Sequence, residues 1–385
     1  MSASLGRLLA GAAAVEVTPA PGAWLAGYGR NRRAVGAHDP LWARALALSV
    51  GQTTAVIISV DCLGLRLAPC DAVAAAFDLP REAVILCATH THSGPDTIGL
   101  WGPDETASGL DPAILATLIA GAQTAGRLAL AALRPARLTL ATAHAPARCA
   151  VNVRDPASLD SEISVMHLTD PAGSGLATLV NWACHPETLR SASVLYSSDF
   201  ADPLRRGVEA ALGGVTVFVN GALGAMVTVD AAEDTFDEAA RIGQAVADEA
   251  VSAVRAEIDH TDWLTFAVAG EEVALPLANR DLAASVGTDP SAAVTTRISA
   301  LSLGNAALVT APGELQPALG RRWKRLMQRP HRFLAGLAND ELGYILRRDD
   351  FASSRYAYER TMSPGPETAA RLTTAAQRVV RGVMG

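Results

Sequence analysis

The sequence predicts an α/β protein in which mixed β-sheets are layered with outer helices, and three observations lead there. Two apolar strand-like runs near the start, ARALALSV and AVIISVD, are joined only by the turn GQT, which is hairpin spacing. Later apolar runs alternate with helical stretches in the manner of strand–helix units. No internal repeat, low-complexity tract or Pro/Ser linker divides the chain, so residues 1–385 read as one domain.

Taken in order, a strand-like VEV ends the apolar opening, and the hairpin follows at 42–61. A helical stretch at 70–78 leads through Asp78 and Pro80 to the strand AVILCATH. The next segment, DPAILATLIAGAQTAGRLALAAL, is a long helix begun by Asp111 and Pro112, and its apolar breadth predicts burial on more than one side. Strands are expected at RLTLATA, ISVMHL, ATLVNWAC and VTVFVN, with a helix over 199–212 before the last of these and another from Asp237 to Arg255 after it. LTFAVAG, RISALSL and AALVTAP then read as strands, followed by a helix over 315–327, a strand over 332–337 and a closing helix over 367–383. The early hairpin and the lack of repeated strand–helix units argue against an amidohydrolase-type barrel, which also opens on a His-x-His strand end.

Composition narrows the function. At 50% hydrophobic and 18% charged residues the chain can bury a sizeable core, as an enzyme-sized globular protein does. A net charge of −7 without a basic block excludes nucleic acid as the expected partner. Five scattered cysteines in apolar stretches read as buried thiols of a reducing, cytoplasmic compartment, not as a disulfide framework. No signal peptide is read at the N-terminus, and no run of about 20 uninterrupted apolar residues suggests a membrane span.

The residues that carry chemistry sit where strands end. In ATHTHSGPD an apolar strand stops at His90-Thr91-His92, and side chains two apart on extended backbone face one side, so both imidazoles can address one ion. His185 in NWACHPETL ends another strand and is followed by a proline. Glu314 in LVTAPGELQP follows a third strand and opens a helix, and Tyr344 stands in NDELGYIL. Each has an ordinary reading when taken alone: hydrogen-bonded histidines, a helix N-terminal charge, a packing tyrosine. Asp61 at the end of IISVD reads as a residue that orients a histidine, and Asp199 as a helix N-cap or a support of the site. Leu100, Trp101 and the stretches 96–110 and 280–295 read as pocket walls.

THTHSGP after an apolar strand, a strand ending in His-Pro, APGE opening a helix and a nearby GY together resemble the neutral (non-lysosomal) ceramidase family. So do VEVTPAPGAWLAGYG, HDPLWARALAL and SVDCLGL, and the similarity runs to the YER segment at Tyr358–Arg360. The resemblance implies the ceramidase catalytic domain and one zinc ion, held by His90, His185, Glu314 and Tyr344. It makes His92 a neighbouring histidine of the site and Arg154 in VNVRDP a contact to the reacting group. Two histidines and a carboxylate also describe non-haem iron sites, and the tyrosine ligand together with the resemblance favours Zn2+. The expected activity is hydrolysis of an amide (N-acyl) bond or an ester in a small-molecule or lipid-like substrate by a metal-activated water. His92, Arg154 and Tyr344 are the catalytic candidates. A non-catalytic metal-binding relative is the other reading, because the family's Gly-Asp-x-Ser-Pro segment falls here on Gly224-Ala225-Met226-Val227-Thr228. That stretch lacks both the Asp and the Ser, and Thr228 lies one position on. The chain also ends before the further β-rich domain that follows the catalytic one in ceramidases.

Overall fold

A computed structural model describes residues 3–258, 260–285 and 293–384, so that 286–292 of the expected pocket stretch 280–295 lie outside the described residues. Two sheets form the framework. The larger runs in the order His331–Ala335, Ala306–Thr310, Ala293–Leu303, Trp263–Pro276, Ser4–Glu16, Trp42–Val50, Thr53–Val60, Val84–Ala88, with Arg134–Pro135 added to Ser4–Glu16. Its outermost pair at each end is parallel and the neighbours between are antiparallel. The smaller sheet runs Val215–Asn220, Gly175–Trp182, Glu162–Thr169, Arg137–His144, with only the first pair parallel.

The strand sequences explain the layering. Trp42–Val50 is apolar at nearly every position because both of its faces are covered. Leu46, Leu48 and Val50 join Leu179, Val217 and Val219 of the smaller sheet in one shared core, while Ala43, Ala45 and Ala47 face the helix Pro112–Ala131. The helices Ala201–Leu212 and Phe236–Ala256 cover the other face of the smaller sheet through Leu204, Val208, Ile242 and Val246. Pro317–Leu326 and Thr368–Met384 cover the rest of the larger sheet around Trp323. The order of layers is helix, sheet, sheet, helix, which is the mixed α/β architecture the sequence predicts and no closed barrel.

Three expectations change in detail. The first strand is not the short VEV but the whole of Ser4–Glu16, because its apolar opening is central in the sheet, paired to Trp42–Val50 on one side and Trp263–Pro276 on the other. The helix Pro112–Ala131 starts on Asp111 and Pro112 as expected, but it buries one face, not several. That face is made of small residues such as Ala122, Ala125 and Gly126, which let the helix lie close on the alanines of the sheet, and Leu128 on the far side is exposed. By length and composition this helix is apolar enough to cross a membrane. Asp199, finally, is not the N-cap of its helix, which begins after Phe200.

Candidate metal centre

Each histidine loop begins where a strand stops, and the two strands belong to different sheets. Val84–Ala88 leads to His90 and His92, Gly175–Trp182 to His185. Asn220, buried at the end of Val215–Asn220, ties the two loops together. Its amide nitrogen donates to the carbonyls of Thr89 (3.0 Å) and Cys184 (2.8 Å), and its oxygen accepts from the Cys184 N–H (3.1 Å). The His92 N–H donates across to the Pro186 carbonyl at 3.1 Å. His90 itself takes a left-handed backbone conformation, φ 71°, a strained state held here by the surrounding hydrogen bonds.

Three imidazoles result, all buried, with ligand nitrogens within 4.8 Å of one another. Ring centroids lie 4.9 Å apart for His90 and His185, 5.0 Å for His90 and His92, and 5.6 Å for His92 and His185. Two of the rings are oriented by backbone: His90 Nδ1 donates to the Leu63 carbonyl at 2.6 Å and His185 Nδ1 to the Val227 carbonyl at 2.7 Å. With Nδ1 carrying the proton, Nε2 of each neutral ring presents a lone pair, and both face Glu314. His185 Nε2 is 3.0 Å from Oε2 and His90 Nε2 is 3.5 Å from Oε1. A lone pair opposite a carboxylate is repulsive unless a proton or a cation lies between them.

The protonation preferences follow. Burial lowers His90 to about 3, outweighing the attraction of Glu314, so this ring stays neutral. Burial also holds His92 well below its ordinary value, helped by His185 and Arg32. For His185, burial acts downward, but the hydrogen bond and charge of Glu314 outweigh it and raise the group to about 9. Without a metal ion His185 and Glu314 are therefore a hydrogen-bonded pair with a proton between them. Neither ring nitrogen of His92 has a hydrogen-bond partner among the described residues, and the carboxylate nearest to it is Glu187, Oε2 to Nδ1 3.4 Å.

Glu314 and Tyr344 are brought together by a short parallel pairing, Glu314–Leu315 with Tyr344–Ile345, in which the two residues are register partners. Burial and the charge of Glu314 keep the Tyr344 phenol well above its usual range. The segment that departs from the ceramidase pattern supports this centre through its backbone. Gly224 lies so close that a Cβ there would be 2.2 Å from the Glu314 carbonyl oxygen, and the Val227 carbonyl orients His185 while its side chain is buried in the core. Thr228 pairs with Val151 on the neighbouring short strand.

The other sequence candidates have partners of their own. Asp61 orients no histidine: it holds the buried Arg205 through two bonds of 2.9 Å and accepts the Trp42 N–H. Asp199 accepts from Thr188 Oγ1, Leu189 N and Phe200 N, and burial, against those bonds, raises it to about 6. Arg154 donates to the fully buried Glu359 at 2.7 Å, next in sequence to Tyr358. Tyr358 lines a cavity of about 540 Å³ with His90, His92, Glu314 and Tyr344 on its wall. The remaining wall is mostly apolar, and Leu100 and Trp101 belong to it as expected. The loop carrying them is held by Asp96, which accepts the N–H groups of Ile98, Gly99 and Trp101. Sequence reasoning missed Asn220, Glu187 and Tyr28, and the only local signal for the first was a polar residue closing the apolar strand VTVFVN.

No family model and no curated protein matches the chain. Among solved structures it is similar to neutral ceramidase from Pseudomonas aeruginosa, with a TM-score of 0.83 and 18% identity over 98% of this chain and 75% of that one. It is similar also to a ceramidase complexed with C2, with a TM-score of 0.82 and 16% identity over the same shares of the two chains. The chain has the ceramidase fold and spans three quarters of that structure.

Proposed function

We propose that the protein is a zinc-dependent hydrolase that cleaves an N-acyl amide, or an ester, carrying an apolar acyl group. The observation that carries this reading is the buried cluster of His90, His92 and His185 facing Glu314 on the wall of a largely apolar cavity. The residues fit a divalent cation. His90 Nε2 turns its lone pair toward Glu314, His185 Nε2 shares with the same carboxylate a proton that a metal can replace, and His92 carries buried nitrogens without partners among the described residues, a donor set that a divalent cation fits.

His90, His185 and Glu314 would hold the ion, with Tyr344, the register partner of Glu314, as a fourth donor. The bound ion would supply Lewis acidity, bringing the pKa of a water to about 7 and polarising the substrate carbonyl. The chain contributes the rest. The backbone carbonyls of Leu63 and Val227 fix two rings, so no reorganisation is needed at the moment of reaction. His92 is kept neutral by burial and can take up a proton during attack and return it to the leaving amine. Tyr344 on the cavity wall can donate its phenol hydrogen to a developing oxyanion. Arg154 is a candidate for the same task once it exchanges Glu359 for substrate. No serine enters the scheme, which makes the loss of the family's hydroxyl at Val227 tolerable.

A lipid-like acyl group fits the cavity, whose walls include Leu63, Leu67, Ile98, Leu100, Trp101 and Leu342. The test is metal analysis of the purified protein beside His90→Ala, with a panel of N-acyl amides and aryl esters of increasing chain length. About one zinc per chain, lost in the variant together with turnover, is the expected result. Zinc without turnover of any panel member would favour the non-catalytic relative, and protein that takes up no divalent metal would refute the centre.

A further inference from the structure

Glu187 is a buried carboxylate to which the reaction above assigns no task. It follows His185 by two residues, and its own N–H donates to the His185 carbonyl at 3.0 Å. The hydrogen bond from His92 N–H to the Pro186 carbonyl fixes the two loops against each other. The Glu187 side chain therefore reaches the His92 ring from a neighbouring, anchored backbone. Its Oε2 accepts the Tyr28 hydroxyl and lies 3.4 Å from His92 Nδ1. The ring is gripped on other sides as well. Tyr28 stands edge-on to it with centroids 5.2 Å apart, and Gly27, at φ 94°, brings backbone so near that a Cβ would lie 2.4 Å from His92 Cγ. Position and tilt of the imidazole are settled by these contacts, which leaves the tautomer as the open variable.

We infer that Glu187, held by Tyr28, is the positioning residue of His92: it faces the Nδ1 proton of the neutral ring and so leaves the Nε2 lone pair on the far side for a substrate proton. In the opposite tautomer a ring lone pair and a carboxylate oxygen would confront each other at 3.4 Å, a repulsive contact in a buried site. At 3.4 Å the two atoms are close enough for this electrostatic preference, although they form no aligned hydrogen bond as the side chains stand. The two histidines whose Nδ1 atoms meet backbone carbonyls need no such carboxylate. His92 Nδ1 meets no carbonyl among the described residues, and the group that stands 3.4 Å from it is the Glu187 carboxylate. The consequence for turnover rests on the function proposed above, but the tautomer does not.

The experiment is long-range proton–nitrogen correlation on protein labelled with 15N-histidine, first metal-free and then with zinc, using His92→Gln to identify the signal among the eight histidines. The expected result is the Nδ1–H form of His92 in the metal-free wild type and its loss in Glu187→Ala. Turnover of the best substrate of the panel should fall about 10- to 100-fold in Glu187→Ala, part of what a positioned acid–base group contributes. Glu187→Gln, which keeps an acceptor oxygen, should retain most of both. If Glu187→Ala fails to fold, Tyr28→Phe loosens the same carboxylate and should move both readouts in the same direction by less. An Nε2–H tautomer in the wild type, or an unchanged tautomer in Glu187→Ala, overturns the assignment. Wild-type protein that takes up no zinc would refute the metal centre, while the tautomer in metal-free protein would still decide the role of Glu187.

Discussion

Two buried polar clusters lie within this fold, and their chemistry is opposite. Around Arg205, both ends of the guanidinium fork meet the Asp61 carboxylate at 2.9 Å, a further bond of 2.7 Å runs to Ser198, and the charges balance. Around His185, three imidazoles gather beside Glu314, with Nε2 of His185 and His90 at 3.0 and 3.5 Å from its oxygens, and the nitrogens of His92 are left without hydrogen-bond partners among the described residues. Burial is common to both, so burial does not mark function. What separates them is that the Asp61 carboxylate meets a permanent cation, whereas Glu314 meets imidazole nitrogens that can exchange a proton for a metal.

The comparison can be broken most forcefully at the first cluster. Arg205→Ala should destabilise the fold by about 3–5 kcal/mol, read by denaturant unfolding, because it leaves Asp61 buried without its partner. Zinc uptake by the fraction that remains folded should stay near wild type. A loss of metal binding at unchanged stability would make Asp61 part of the centre after all.

The second cluster should respond in the other way. Zinc at about 100 times its dissociation constant should stabilise the wild type by about 2.7 kcal/mol in thermal or denaturant unfolding. His185→Ala should gain nothing from the same addition and should lose hydrolysis. A His185→Ala protein stabilised by zinc as strongly as the wild type would show that the ion sits elsewhere.

A smaller effect is expected where the sequence departs from the ceramidase pattern. Val227→Ser places a hydroxyl among core side chains and should cost about 2 kcal/mol by unfolding, within the range for burying such a group. Zinc affinity should hold, because the backbone carbonyl that orients His185 is unchanged. A gain in turnover would contradict the inward orientation of this side chain.

The last test sharpens the proton count. His185, raised to about 9 by Glu314 against the opposing effect of burial, is protonated in the metal-free centre at neutral pH. Zinc must displace that proton. Apparent affinity should therefore rise about tenfold per pH unit, roughly 1.4 kcal/mol, as pH increases toward 9, and level off above it. Competition titrations across this range measure the slope, and pH-independent affinity would mean that the proton is absent.

Much of the centre is legible along the chain, since His90, His92, His185 and Glu314 each come just after an apolar strand, and the structure brings them to one place. Tyr344 is legible only through resemblance, because its link to Glu314 is a strand pairing between distant segments. Asp61 shows why local reading misleads: it ends a strand as the ligands do, but its partner Arg205 lies 144 residues away. Glu187 lies 159 residues from Tyr28, and Asn220 bonds to Thr89 131 residues away, so neither task leaves a mark in its own neighbourhood.

The sequence by itself determined the elements and the donors: period-two apolar runs for strands, capped apolar stretches for helices, and imidazole and carboxylate groups at strand ends. Tertiary structure alone decided which donors share a centre, which way each ring is turned, and which buried charges cancel. The reason is physical. Strand and helix formation depends on neighbours within a few residues, whereas orientation and protonation depend on groups within a few ångströms, and folding brings those together from segments more than a hundred residues apart.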